Sequence, residues 1–359
     1  MTVSRDGHEA FLKQTIRFII CGVSSICAAC VAVRAGDGPE IGGPPVRARV
    51  VQVEHPGATL FYEAQLPVVQ DMVRRGMLQW TGKTDLKAAW LTVVSPKDVV
   101  GLKVYSLPGA YSGTRPAVVE AVVQGLLLAG LPSSNIVIWD KHLVDLRLAG
   151  YTALADRYRV RLEGSADAGY DEKDAYTSNP LLGTLVAGDL EFDLRGATSG
   201  RNSYVSKLVT SNLTKTISIA PLLNHNMAGV CGHLYSPSMG CVDNTARFEF
   251  SPQRLAQAVP EIYALPAVGE HVALNITDAL ICQYQGEQVS LLQYSTELNQ
   301  IWISKDPLVL DVLGIQELDR ERQARNLESR GDNPELYQNA ALLELGVGDP
   351  TKVKLDVVK

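Results

Sequence analysis

Residues 224–236 read NHNMAGVCGHLYS and place two imidazole groups and two asparagines within one short segment. An imidazole can transfer protons near neutral pH or ligate a metal ion. His225 and His233 are therefore candidate catalytic residues, and Asn224 is a candidate ligand-binding residue. On a straight helix the two histidines would lie about 12 Å apart, too far for one metal ion unless the chain bends at the glycines between them. A polar loop whose side chains bond to nearby backbone is the alternative interpretation.

Asp140 and His142 form a second polar pair, in the sequence IVIWDKH. A carboxylate and an imidazole at the end of a strand could act as acid and base, or could share a metal ion. Asp140 could instead cap a helix that begins near Leu143, with His142 in solvent. Asp140 is therefore the third candidate catalytic residue.

Three residues upstream could bind an anion. Lys103 lies inside the apolar run VVGLKVYSL, where a charge is costly without a partner or a ligand. Thr114 and Arg115 precede a predicted helix, whose N-terminal N–H groups and dipole favour an anion. The alternatives are a buried ion pair or a snorkelling side chain for Lys103, a helix cap for Thr114 and a surface position for Arg115. Asn244 and Arg247, in the segment GCVDNTARFEF, complete the candidate ligand-binding residues.

A strand–loop–helix–strand pattern must position these groups. The run DVVGLKVYSL predicts a buried strand, AVVEAVVQGLLLAG a helix between Pro116 and Gly130, and NIVIWD the next strand. Such a unit predicts parallel strands joined by a right-handed crossover, and residues 95–165 would form the centre of an α/β sheet. Because ligands usually bind at the carboxyl ends of such strands, the candidate residues are expected to meet there.

The whole chain predicts an α/β fold: a mainly parallel sheet with flanking helices, a loop-rich insertion around residues 166–202 and a C-terminal α/β portion. The predicted insertion contains a short hairpin near TLVAGDLEFDLRG. Residues 36–94 would hold a first strand and helices, residues 95–350 the main α/β domain, and residues 351–359 a terminal strand. A division of the main domain into two lobes would fall near residues 166–213.

Residues 1–35 predict a secretory signal peptide. Basic side chains precede sixteen apolar or small residues, Phe18–Val33, and small residues then provide a cleavage site. The pattern predicts an exported protein, periplasmic or extracellular, without a stable transmembrane span in the mature chain. The alternative is an uncleaved membrane anchor at residues 18–33, although a spanning helix needs about 20 apolar residues.

Composition, charge and cysteine usage limit the partners. A formal net charge of −6 and a hydrophobic fraction of 46% are typical of a globular chain, and the sequence has no basic stripe for nucleic acid. The predicted mature chain keeps Cys231, Cys241 and Cys282, without a C-x-x-C pair. An iron–sulphur cluster is therefore not expected, whereas a divalent metal ion remains open. Cys231 and Cys241 are the nearest pair in sequence that could form a disulfide.

Four segments follow one another in the chain: VVGLKVYSL…TRPAVVEAVVQGLLLAG…IVIWD, ISIAPLLNHNMAGVCGHLYSPSMG, NITDALICQYQG and ISKDPLVLDVLG. Taken together they resemble the domain of unknown function 362 family over most of residues 95–350. The resemblance implies a match of Lys103 to a lysine in the family's first strand. It also implies a match of His225 to a Lys-x-His element, in which Leu223 replaces the lysine. Many members carry twin-arginine signals and some carry iron–sulphur segments. This chain has SRDGHEAFLK near its start, which lacks the paired arginines, and it lacks cluster cysteines.

A more distant likeness to the lactate racemase family comes from the TRP of residues 114–116 before a helix and from His142 after the next strand. That family moves a hydride with a nickel-containing cofactor. The likeness implies a fold and a pocket location only, because reaction type does not follow from fold.

The combined expectation is an exported α/β protein that binds an anionic small molecule through Lys103, Thr114 and Arg115. His225, with Asp140 or His233, would supply acid–base or metal chemistry. The alternative is a non-catalytic binding or accessory protein in redox or cofactor assembly. Whether the chain is an enzyme, and which protein partner it has, stay open at this point.

Overall fold

A nine-stranded sheet organises the part of the chain that the computed structural model describes, residues 48–182, 185–192, 199–286, 288–328 and 332–359. All of these residues belong to one compact unit, Pro45–Lys359. The strands, including two small separate pairs, are β1 (Ala48–Glu54), β2 (Thr59–Leu60), β3 (Glu63–Ala64), β4 (Val100–Lys103), β5 (Ile136–Asp140), β6 (Arg161–Gly164), β7 (Tyr170–Leu182), β8 (Ser199–Ser206), β9 (Lys215–His225), β10 (Gly229–Val230), β11 (Val272–Gln283), β12 (Ser295–Ser304) and β13 (Val353–Val358).

The main sheet is mostly parallel. Its order is β13-β1-β12-β11-β9-β4-β5-β6, and β10 pairs with β9. Strands β11, β9, β4, β5 and β6 are parallel neighbours, whereas β12 runs antiparallel to both β11 and β1. Strand β13 pairs in parallel with β1 and occupies the place of the predicted terminal strand. The predicted α/β class and the mainly parallel sheet are therefore confirmed.

Helices cover both faces of this sheet. One apolar cluster contains buried side chains of α1, α2, α3 and α5, and a second contains those of α6, α8, α9 and α10. The helices are α1 (Leu66–Thr81), α2 (Leu86–Trp90), α3 (Pro116–Ala129), α4 (Leu143–Leu148), α5 (Tyr151–Tyr158), α6 (Tyr235–Cys241), α7 (Ala246–Glu249), α8 (Pro252–Tyr263), α9 (Pro307–Gln323) and α10 (Pro334–Leu342). Strands covered on both faces need continuous apolar sequence, which explains the runs that identified them.

The unit β4–α3–β5 forms as the sequence predicts. Both strands are buried along their whole length. Helix α3 begins at Pro116, whose missing N–H would have had no partner in the first turn. The helix ends at Gly130, whose φ of 97° is accessible to glycine at little cost. The crossover brings the carboxyl ends of β4 and β5 to the same edge of the sheet, where their last residues are Lys103 and Asp140.

The hairpin of the insertion differs from the predicted one. Its strands are β7 and β8, which pair antiparallel on either side of the predicted segment at residues 184–196. The described residues of that segment, 185–192, contain turns rather than strands. Residues 183, 184 and 193–198 lie outside the described residues. Within residues 185–192, Leu185 and Asp189 are buried whereas Val186 and Phe192 are exposed, so this part of the segment is an irregular connection between β7 and β8.

Several predictions fall on residues that the structure does not describe. The signal peptide at residues 1–35, its cleavage site and the alternative membrane anchor at residues 18–33 lie outside the described residues, as do residues 36–47. In the described ranges no helix is both long and apolar enough to cross a membrane. The division into two lobes stays a prediction.

Candidate functional site

A cavity of about 340 Å³ lies at the carboxyl ends of β4, β5 and β6. This is the edge at which α/β sheets usually bind ligands. The segments after these strands, the turn at residues 186–189 and the helices α6 and α7 line it, together with Gln288. The lining residues are Tyr105, Leu107, Asp140, Lys141, His142, Asp145, Ala166, Tyr170, Val186, Ala187, Gly188, Asp189, Tyr235, Ser236, Met239, Gly240, Thr245, Ala246, Glu249 and Gln288.

Lys103 forms a buried ion pair beneath this cavity. Its ammonium lies 2.8 Å from Asp140 Oδ1 and also donates to Ser236 Oγ and to the Val104 carbonyl. Only 1% of Lys103 is exposed, and its three N–H groups match these three acceptors. Of the alternatives considered for Lys103, the structure shows the buried ion pair. Lys103 is not among the residues that line the cavity.

Asp140 is the partner that stabilises this charge. Its Oδ2 accepts hydrogen bonds from the backbone N–H and the hydroxyl of Ser106, both at 2.7 Å, and Oδ1 also accepts from the Lys141 N–H. Burial by itself raises the pKa of Asp140, but the Lys103 ammonium and the Ser106 hydrogen bonds outweigh it and hold the pKa below its usual value. Asp140 is therefore an ionised, fully bonded carboxylate at the cavity floor. It does not cap α4, whose first N–H bonds to Asp167.

Arg115 and Thr114 contact other parts of the protein and not the cavity. Arg115 pairs with Asp278, with 3.0 Å between Nη1 and Oδ1, and its backbone N–H donates to the same carboxylate. The Thr114 hydroxyl donates to the Ile219 carbonyl and accepts from the Tyr105 N–H. Thr114 thus joins the segment after β4 to β9 rather than capping α3, and Arg115 is buried rather than on the surface. Lys103 and Arg115 are each paired with a carboxylate, and Lys103, Thr114 and Arg115 do not line the cavity at the strand ends.

His225 ends strand β9 on the same side of the molecule as Lys103. Its Nδ1 accepts hydrogen bonds from the backbone N–H groups of Met227 and Ala228 at 3.2 and 3.1 Å. The imidazole packs on the Tyr235 ring at 4.3 Å between centroids, and Tyr235 lies next to the Ser236 that bonds to Lys103. His225 is therefore separated from the cavity by one aromatic side chain. Burial lowers the pKa of His225 to about 4, so the ring is neutral at pH 7.

His233 has a structural environment. Its Nδ1 lies 2.8 Å from Ser218 Oγ, and its Nε2 lies 2.9 Å from Thr277 Oγ1. Its backbone N–H donates to Asp311, at 2.6 Å. Burial lowers the pKa of the imidazole to about 3. His233 connects β9, β11 and α9 and is not part of the cavity lining.

The other candidate ligand-binding residues also stabilise the fold. The Asn224 side chain donates to the Asn226 side chain. Asn244 donates from its side chain to the Asn202 carbonyl and from its backbone to Asp189. Arg247 is completely buried, donates to groups of the β7–β8 hairpin and packs its guanidinium 4.3 Å from the Phe248 ring centroid. Asn244 and Arg247 therefore hold the hairpin against the main sheet.

The cysteines of the described residues form no disulfide and belong to no cluster that could hold a metal ion. Cys231, Cys241 and Cys282 are buried free thiols, so the disulfide considered between Cys231 and Cys241 is not present. Burial raises the pKa of Cys241 to about 12, which keeps this thiol protonated. Within the described residues no group of three or more His, Cys, Asp or Glu side chains is placed to hold a metal ion.

Lys141 is the residue of this cavity that the sequence reasoning missed. It follows Asp140 directly, half-buried, and its ammonium donates to the Thr245 hydroxyl. No carboxylate of the described chain lies within ion-pair distance of it, in contrast to Lys103. The signal was available, because Lys141 sits between two candidate residues at the end of a predicted strand. What the sequence lacked was the direction in which each side chain points.

The charges that remain in the cavity are of both signs. Asp145 and Glu249 line it and form no ion pair within the described ranges. The Asp189 carboxylate, also in the lining, accepts from the backbone N–H groups of Val186 and Asn244. Burial raises the pKa of Asp145 above its usual value. One lysine therefore faces several acidic groups, and the cavity offers both hydrogen-bond donors and acceptors.

Gly240 of α6 shows how closely the helix packs on the ion pair. A Cβ at this position would lie 2.4 Å from Lys103 Cε and 2.9 Å from its Nζ. Because three hydrogen bonds fix the lysine, it has little freedom to move away. A glycine is therefore required here for α6 to lie directly over Lys103.

Comparisons with known proteins give a family and a distant structural neighbour. A family model described as "Domain of unknown function (DUF362)" matches residues 102–316. None of the curated proteins matches the chain. A crystal structure of a protein from Thermotoga maritima is similar, with 12% sequence identity and a TM-score of 0.41, over 74% of this chain and 60% of that chain. The chain thus spans less than two thirds of that protein. The comparisons do not show the likeness to the lactate racemase family.

Proposed function

The chain belongs to the DUF362 family, and from this premise we propose that it binds a small polar metabolite in the cavity at the carboxyl ends of β4, β5 and β6. The observation that carries the proposal is Lys141, a cavity lysine that bonds to the Thr245 hydroxyl and, among the described residues, to no carboxylate. A half-buried ammonium that has no carboxylate at ion-pair distance is costly. An acceptor oxygen of a ligand would offset that cost.

The size and charge of the cavity restrict the ligand. A volume of about 340 Å³ is near the lower end for ligand pockets and suits a metabolite of a few carbons. Asp145 and Glu249 would repel a molecule with several negative charges, such as a nucleotide. We therefore favour a ligand with one carboxylate or carbonyl oxygen for Lys141 and a hydroxyl or amino group that donates to Glu249 or Asp145.

The proposed ligand lies at the strand ends, as the sequence predicted, but it contacts Lys141 instead of Lys103. Lys103 and Arg115 are neutralised by Asp140 and Asp278, so their charges are not available to a ligand. Lys103 instead fixes Asp140 and Ser236, two residues of the cavity floor. His225 and His233 use ring nitrogens in internal hydrogen bonds, which favours binding over histidine catalysis in the proposed function. A non-catalytic binding protein is therefore the second candidate, alongside an enzyme that uses Lys141.

Replacing Lys141 with alanine should weaken ligand binding by about 10–100-fold, because a hydrogen bond to a charged group contributes roughly 1.5–3 kcal/mol. Isothermal titration calorimetry with pyruvate, glyceraldehyde and inorganic phosphate would measure this. We expect pyruvate or glyceraldehyde to bind the native protein more tightly than phosphate. The control is Lys83→Ala, at an exposed position after α1, which should leave the affinity unchanged. Equal affinities of the Lys141→Ala and native proteins, or no binding of any probe, would contradict the proposal.

We also propose that the protein is exported. The support is the composition of residues 1–35, with basic side chains before an apolar run and small residues at its end. Expression of the full chain in a bacterium should yield a mature protein that begins after Ala35, as determined from its intact mass. Recovery of the uncleaved chain from the cytosolic fraction alone would contradict export.

A further inference from the structure

We infer that Lys141 forms a Schiff base with a small aldehyde or ketone bound in the cavity. This inference rests on the proposed function, since it names the class of ligand and the reaction of the same site. It concerns one atom, Lys141 Nζ, the Thr245 hydroxyl that it contacts, and two carboxylates of the same cavity, Glu249 and Asp145.

The two lysines at this edge of the sheet differ in a way that matters for reactivity. Lys103 donates to three acceptors, one of them the Asp140 carboxylate, and its Nζ has no N–H left for a ligand. Lys141 donates to one neutral hydroxyl, that of Thr245, and lies in the cavity wall. An amine held by a carboxylate stays protonated, whereas one held by a hydroxyl can lose its proton and attack a carbonyl carbon.

The surroundings of Lys141 also favour the neutral amine. Burial lowers the pKa of the Lys141 ammonium, and the more distant carboxylates of Glu249, Asp189 and Asp243 only partly oppose this. Part of the lining is apolar, from Ala166, Val186 and Met239. Lysines that form Schiff bases are activated in this manner, by removal of water from around the amine.

The reaction balances with groups that the cavity supplies. The Nζ lone pair attacks the carbonyl carbon, a C–N bond forms, and the C=O π electrons move to oxygen, which takes a proton. The amine proton passes to a carboxylate, and a carbinolamine results. Protonation of its hydroxyl then releases water as the C–O bond breaks and the nitrogen lone pair forms C=N. The neutral amine, the carbonyl and one proton become an iminium and water, and loss of the proton on nitrogen to a carboxylate gives the imine, without an oxidant or a reductant.

Glu249, whose charge acts on Lys141, can take the amine proton, and Asp145 is a second carboxylate in the lining that can protonate the bound ligand. The raised pKa of Asp145 lets it carry a proton at a higher pH than an exposed aspartate, as the dehydration step needs. The Thr245 hydroxyl, which already contacts Nζ, can pass a proton between the amine and a carboxylate. The ligand would therefore be a carbonyl compound that also bears a hydroxyl or a single carboxylate.

Reductive trapping tests the inference directly. The purified protein is incubated with pyruvate or glyceraldehyde and sodium cyanoborohydride, and peptide mapping by mass spectrometry locates the added group. We expect a saturable adduct on Lys141, formed faster than on an exposed lysine such as Lys83, because the lowered pKa of Lys141 leaves a larger neutral fraction of the amine. The variant Lys141→Arg keeps the positive charge but cannot form an imine, so it should lose the adduct.

The outcomes separate this inference from the proposed function. Binding that depends on Lys141, without any adduct at that residue, would overturn the Schiff base and leave the metabolite site intact. The same result would follow if trapping were equal on Lys141 and on Lys83. Absence of both binding and adduct would overturn both proposals. Retained binding of pyruvate in Lys141→Arg, with loss of trapping, would support both.

Discussion

Replacing Asp140 with alanine is expected to lower the free energy of unfolding by about 3–5 kcal/mol, because the substitution leaves the Lys103 ammonium buried and without its counter-ion. Lys103 is 1% exposed and lies 2.8 Å from the Asp140 carboxylate. The alanine also removes the acceptor of the Ser106 N–H and hydroxyl. Urea denaturation, followed by circular dichroism, would measure the change in the free energy of unfolding, and the dependence of that free energy on urea concentration should stay the same.

The double variant Lys103→Met, Asp140→Ala should recover part of this loss, since no unpaired charge then remains in the interior. A surface control is Asp71→Ala in α1, which removes the exposed pairs of Asp71 with Arg74 and Arg75 and should cost less than about 1 kcal/mol. If Asp140→Ala cost no more than Asp71→Ala, the ammonium of Lys103 would have to reach solvent, contrary to the structure.

The main sheet could be predicted because its signals are local. The apolar runs at β4 and β5, the proline that begins α3 and the glycine that ends it each follow from backbone chemistry over a few residues. These signals place Lys103 and Asp140 at neighbouring strand ends, and the ion pair then follows as the cheapest way to bury a lysine. The sequence left that interpretation open.

The candidate site could be predicted only in part because its contacts are long-range. Arg115 bonds to Asp278, a partner 163 positions away, and β11 had to be placed beside β9 before that pair could be recognised. The sequence also predicted that three polar residues bind a ligand, yet each of them instead joins two parts of the fold: Thr114, Asn244 and Arg247. Lys141 was missed because the direction of a side chain just after a strand depends on how the next loop turns.

The ion pair Lys103–Asp140 gives the cavity a rigid base, and a second ion pair, Arg115–Asp278, stabilises the fold outside the cavity lining. Lys103–Asp140 links β4 to β5, and Arg115–Asp278 links the start of α3 to β11. Both acidic partners belong to strands, whose positions the sheet fixes. A site on such a base needs little reorganisation when a ligand binds, which favours affinity and precise placement of Lys141.

The imidazole of His225 should make the stability of the protein strongly dependent on pH. Its folded pKa of about 4 is below the value of about 6.5 expected for the unfolded chain. Between these two values the unfolded state binds the additional proton, so the free energy of unfolding falls as the pH falls. The interval of about 2.5 pKa units corresponds to roughly 3 kcal/mol.

The variant His225→Asn isolates this effect, because an asparagine oxygen can still accept from the Met227 and Ala228 N–H groups but cannot titrate. At pH 7.5 the variant should be less stable, since it loses ring packing on Tyr235. On lowering the pH to 4 the difference should shift by roughly 3 kcal/mol in favour of the variant.

The raised carboxyl pKa values of Asp243 and Asp311, about 6 and about 7, act with the opposite sign but are present in both proteins and cancel. Val230→Ala, which removes only buried methyl groups, should differ from the native protein by a constant amount at both pH values. Parallel pH profiles for His225→Asn and the native protein would show that the folded chain already hydrates this imidazole, and the buried site described for it would then be wrong.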